Sequence, residues 1–132
     1  MEIVTDVSAI MAVLLYEPER DAIIAVTEGH EIVGPKCIPW EVGNAFSVAI
    51  KRRRITLRKA VNALTAFETI PIRYFDTDII QAIRIASRYQ VYAYDAYYLE
   101  CAVRHRKPLL TLDRLMMSVG KKMGIEIVEE FS

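Results

Sequence analysis

The sequence predicts an α/β fold, a parallel sheet with helices on both faces. Two observations carry that prediction. Short apolar runs rich in Val and Ile alternate with longer stretches of helical period. Gly and Pro number five each and punctuate these segments instead of forming linkers. Strands separated by helices require crossover connections, which join parallel strands.

The elements follow in order. Glu2 to Thr5 reads as the first strand and ends at Asp6. Ser8 is placed to cap a helix running to about Leu15. Pro18 suits the first turn of a second helix, which Gly29 stops after about Glu28. Glu31 to Val33 is a short strand broken by Gly34-Pro35. The next helix covers Ile38 to Arg52, with Val42, Ala45, Phe46, Ala49 and Ile50 as its apolar stripe. Thr56 caps a helix whose stripe is Leu57, Ala60, Val61, Leu64 and Phe67. Ile70 to Tyr74 is extended, and Pro71 there implies an edge strand or a strand start. Asp76 or Thr77 caps a helix to about Tyr89, and another spans about Tyr94 to His105. Leu109 to Leu112 is an apolar strand followed at once by Asp113. A short helix carries Leu115, Met116 and Val119, Gly124 suits its C-terminal cap, and Ile125 to Val128 is a last strand.

Composition bounds the function. A chain of 132 residues, 53% hydrophobic, builds one core, so residues 1–132 are expected to form one domain. Lys plus Arg is 17 and Asp plus Glu is 17, so bulk positive charge does not drive nucleic-acid binding. Two local basic patches, Lys51 to Arg54 and Arg104 to Lys107, fit solvated helix ends or RNA contact equally well. Cys37 and Cys101 sit in apolar helical patterns without zinc spacing, as in a reduced, cytoplasmic protein. The apolar run Ala9 to Tyr16 is too short for a membrane span or a signal peptide, and no membrane association is expected.

Four carboxylates stand out. Asp6 and Asp113 end strands, where sites of open α/β sheets form. Asp95 shares a helix face with Tyr98, Leu99 and Ala102, and Glu41 lies at the edge of its stripe with Ala45 and Ala49. Both lean inward, where a lone carboxylate is costly unless it finds a partner. A hard divalent cation such as Mg²⁺ suits four such acids with no cation close in sequence. Taken singly, capping is the better explanation of Asp6 and Asp113, and a Lys or Arg across the fold would serve Glu41. Asp76 and Asp78 read as caps, and His30 and His105 are isolated. Tyr92, Tyr94, Tyr97 and Tyr98 cluster around Asp95 and read as packing residues, with one or two free to stack on a base.

The order I-V-T-D-V-S, P-W-E-V-G-N-A-F, Y-D-A-Y-Y-L-E-C-A and L-L-T-L-D-R resembles PIN-domain proteins, and in particular VapC-type toxins of toxin–antitoxin pairs. Each motif is weak alone; all four in order, from Ile3 to Val128, are specific. The resemblance implies a three-layer α/β/α fold with a central parallel sheet. It places acidic metal ligands at Asp6, Glu41, Asp95 and Asp113, and groups that orient them at Ser8, Asn44 and Thr111. Val7 departs from the Thr or small residue that many members carry there.

The activity implied is Mg²⁺-dependent RNA cleavage, with Mn²⁺ as an alternative ion, leaving 5′-phosphate and 3′-hydroxyl ends. A cognate antitoxin and a homodimer are implied partners. Two other readings stay open: an inactive PIN-like module that binds RNA or protein, and a nuclease or phosphatase acting on DNA. Loss of an acid would mark the first, and all four are present; zero net charge and small size disfavour the second.

Overall fold

The computed structural model describes residues 1–129. The chain runs β1 (Glu2–Thr5), α1 (Val7–Leu14), α2 (Arg20–Thr27), β2 (Glu31–Pro35), α3 (Ile38–Lys51), α4 (Leu57–Glu68), β3 (Ile72–Phe75), α5 (Ile79–Tyr89), α6 (Ala93–His105), β4 (Leu109–Leu110) and α7 (Arg114–Lys122). The four strands form one parallel sheet in the order β3-β2-β1-β4. This is the α/β architecture expected.

Alternate strand residues face opposite sides of a sheet, and the packing follows. Ile3 and Leu110 join Ala9, Ala12 and Ile23 of α1 and α2. Val4, Val33 and Leu109 join Tyr98 and Leu99 of α6 with Val42 and Phe46 of α3. Complete burial of a side chain such as Phe46 or Leu99 stabilises the fold by about 1.5–3 kcal/mol. Helix α6 packs on β1, β2 and β4 and leads into β4, so it runs back along the sheet. Its N-terminus, with Asp95, therefore lies at the carboxyl ends of the strands.

Several local expectations are corrected. Asp6, not Ser8, caps α1, accepting from the Ala9 amide. The second helix starts at Arg20, with Pro18 in the turn before it. Gly34-Pro35 does not break β2: these residues stay in register with Tyr74 and Phe75, and the edge position of β3 tolerates Pro71 at its entry. Asp78, not Asp76 or Thr77, caps α5 by accepting from Gln81, while Asp76 pairs with Lys36. Strand β4 ends at Leu110, because the Thr111 and Ser8 hydroxyls take the next amides. The segment expected as a last strand contributes only a parallel bridge, Leu109 to Ile127.

Candidate active site

Asp6 leaves β1 as the cap of α1, so its carboxylate is held at the sheet's carboxyl edge. It is 4% exposed. Oδ1 accepts from Ser8 Oγ at 2.6 Å and from the Ala9 amide at 3.1 Å. Oδ2 accepts from Thr111 Oγ1 at 2.5 Å. The two hydroxyls accept in turn: Ser8 Oγ from the Leu112 amide and Thr111 Oγ1 from the Asp113 amide. Their single protons are therefore directed at Asp6, which is fixed as an acceptor. A carboxylate offers about four lone-pair sites; the unused one is on Oδ2.

Burial pushes the Asp6 carboxyl up to about 6. The hydrogen bonds from Ser8, Thr111 and Ala9 oppose that rise, and the charge of Asp113 adds to it.

Glu41 stands in the first turn of α3. Its Oε2 accepts from Tyr98 Oη at 2.8 Å and from Cys37 Sγ at 2.9 Å. Burial first, then the charges of Asp6 and Asp95, raise its pKa above the ordinary value. Asp95, in the first turn of α6, is raised by burial and by Asp113. Asp113 caps α7 through the Leu115 and Met116 amides and is exposed. Thus Asp6, Glu41 and Asp95 each feel the charge of at least one other of these acids. Asn44 lies exposed on α3; among the described residues no hydrogen bond joins it to Glu41.

No ion pair among the described residues involves these four acids. Glu100 makes the contrast. It is equally buried, at 3% exposure, but Arg104 lies 2.7 Å away and the Asp78 amide donates to it. Glu100 is a satisfied structural acid; Asp6 and its neighbours have no such cation among the described residues.

This donor set fits a hard divalent ion, which prefers carboxylate oxygen. Among the described residues no three His, Cys, Asp or Glu side chains close on a common point as they stand. Mg²⁺ does not require that: it retains waters and uses one or two carboxylates together with substrate phosphate.

The sequence marks Cys37 as a small buried residue and Tyr98 as one of four tyrosines for packing or base stacking, yet both donate to Glu41. The signal for Cys37 was its spacing, one helical turn before Glu41 on the same face. Nothing local marked Tyr98, which reaches Glu41 from another helix.

The fold and the charge cluster together define an α/β domain with an acidic site beyond its strand ends. The PIN domain family profile matches residues 3–122, and the chain belongs to that family. PIN domains are typically nucleases and commonly use divalent metal ions. No curated protein sequence matches the chain. Among solved structures it is similar to PAE2754 from Pyrobaculum aerophilum, with 23% sequence identity and a TM-score of 0.74. That likeness covers 97% of this chain and 84% of the other, and it is one of fold. No helix among the described residues is long and apolar enough to cross a membrane.

Proposed function

We propose that this protein, taken as one domain over residues 1–132, is a Mg²⁺-dependent endoribonuclease of the VapC type, the toxin of a type II toxin–antitoxin pair. The observation that carries the reading is the Asp6 carboxylate: buried, fixed as an acceptor, flanked by acids and matched to no cation among the described residues. A phosphodiester would be repelled by such a site unless a divalent ion came with it.

Asp6 and Asp95 are the residues to hold that ion, with Glu41 and Asp113 as further carboxylates of the site. When bound, the ion would supply a more acidic water and neutralise charge on the phosphate. Ser8 and Thr111 keep Asp6 Oδ1 and Oδ2 in place. Tyr98 and Cys37 fix Glu41 through Oε2 and leave Oε1 open. The products would carry 5′-phosphate and 3′-hydroxyl ends. A cognate antitoxin, a homodimeric state and a cytoplasmic location belong to the same reading, as does Mn²⁺ in place of Mg²⁺.

The test uses the purified full chain and structured RNA. Mg²⁺ should give cleavage, and chelator should stop it. Asp6→Asn and Asp95→Asn should each lower the rate by about 100-fold or more. Equal rates in parent and variants would dismiss the assignment. Expression in a bacterium should arrest growth in the parent but not in Asp6→Asn. Mapping RNA 5′ ends after brief induction would name the target.

A further inference from the structure

We propose that the cavity between α5, α6 and the end of α7 binds a small nucleoside phosphate, at a place separate from the acidic site. The proposal does not depend on the nuclease reading.

The cavity has a volume of about 520 Å³, within the range of small-molecule pockets. Arg84, Arg88 and Tyr89 of α5 line it together with Val103 and Arg104 of α6 and Met123. None of Asp6, Glu41, Asp95 and Asp113 does. Five residues separate Asp95 from Glu100, which turns the two onto different faces of α6. The Asp78 amide donates to Glu100, so the start of α5 lies beside the second half of α6.

The cations of the lining point to a phosphate. Helix α5 holds Arg84 and Arg88 and no Asp or Glu. The two arginines stand one turn apart, a like-charge placement that weakens a helix on its own. Among the described residues neither pairs with a carboxylate. Arg104, by contrast, is engaged by Glu100. The Arg88 guanidinium lies over the Tyr89 ring, 5.5 Å from its centroid, so the ring holds it at the cavity wall. Two unspent guanidiniums a turn apart suit one phosphate group, whose oxygens match their forked donors.

Toward the start of α5 the lining changes character. Val103 and Met123 offer apolar surface to a flat ring, and Asp78 and Gln81 stand beside them. Asp78 Oδ1 accepts from the Gln81 amide; its Oδ2 and the Gln81 side chain have no partner among the described residues. A carboxylate oxygen and a side-chain amide are the groups that read the amino and ring-nitrogen edge of adenine. The carboxylates of Asp78 and Glu100 would repel a second phosphate at that end. A single nucleotide, anionic at one end and flat at the other, therefore fits better than a continuing nucleic-acid strand.

Calorimetric titration of the full chain with AMP tests this. Chelator keeps the acidic site free of divalent ions, so that it repels the nucleotide. AMP should bind at one site per chain and raise the melting temperature. Inorganic phosphate and adenosine should each bind at least about 10-fold more weakly. Arg84→Gln and Arg88→Gln should each weaken AMP by about 10-fold, since each removes charge-assisted hydrogen bonds. Both arginines are exposed, so the unliganded variants should melt like the parent. Asp6→Asn should bind AMP as the parent does; loss of binding there would put the nucleotide in the acidic site and overturn the proposal. No binding at about 1 mM AMP also overturns it. So does an affinity that survives Arg84→Gln and Arg88→Gln together. A short oligoribonucleotide that needs both arginines and is not displaced by AMP would assign the cavity to a strand instead. A chain that binds AMP but cuts no RNA refutes the nuclease reading alone.

Discussion

Thr111 Oγ1 lies 2.5 Å from Asp6 Oδ2 and at the same time accepts the amide of Asp113, so one buried hydroxyl connects the ends of β1 and β4. Thr111→Val keeps the shape and removes both bonds. At pH 7 it should cost about 2–3 kcal/mol, because a charge-assisted hydrogen bond is lost inside the protein. The loss should be smaller at pH 5, where Asp6 is largely protonated. Thr111→Ser should recover most of the stability. Urea denaturation at both pH values measures this.

The raised Asp6 carboxyl makes metal-free stability depend on pH. Its folded value, about 6, lies above the ordinary 3.8, so the fold favours the neutral form. That contribution is complete below about pH 4 and is lost as pH rises through 6, a change of about 3 kcal/mol. Glu41 and Asp95 shift in the same direction. His105, whose imidazole burial pushes down, slopes the opposite way. The diagnostic is therefore the difference between parent and Asp6→Asn, in chelator, between pH 5 and 7. The parent should lose more stability across that window. Parallel curves would show that Asp6 is not desolvated as described.

Asp113 separates capping from catalysis. Asn caps helices about as well as Asp, so Asp113→Asn should change stability by less than about 0.5 kcal/mol. The same variant should slow RNA cleavage by about 10-fold or more if its charge belongs to the metal site. Thermal melts and initial rates on one preparation decide between the two roles.

Tyr98→Phe removes the hydroxyl that donates to Glu41 and leaves the buried ring. Stability should fall by about 1 kcal/mol. The cleavage rate should fall by about 10-fold with KM little changed, since Glu41 loses its orientation. An unaltered rate would make Tyr98 a packing residue only.

Arg104 and Glu100 are the structural control. Arg104→Met leaves the Glu100 carboxylate buried without its cation and should destabilise the fold by about 3 kcal/mol. Adding Glu100→Gln should recover part of that loss. The folded fraction should cleave RNA at the parent rate per molecule.

The sheet was legible because strands such as β1 and β4 centre on short apolar runs that end where the chemistry changes, as at Thr5 to Asp6. Caps were read less well. At Asp6 and Ser8, and at Asp76-Thr77-Asp78, more than one nearby side chain can serve, and the choice depends on where the following helix docks. Gly34-Pro35 misled for a similar reason: its partner, β3, lies forty residues on in the chain and supplies the pairing that local sequence cannot reveal. The acids were visible as charges on faces that should be apolar. Cys37 and Tyr98 were not, because apolar-looking residues acquire a polar task only through a neighbour brought by tertiary packing.

The hydroxyl network around Asp6 also sets a schedule. Ser8 and Thr111 are separated by 103 residues, and Asp6 and Thr111 by 105. On a growing polypeptide β1 emerges about a hundred residues before its neighbour β4. Contacts of such long sequence separation form late. A nascent or truncated chain lacking the segment beyond Leu110 cannot assemble this environment, so the buried surroundings of Asp6 exist only once Thr111 has been made and docked.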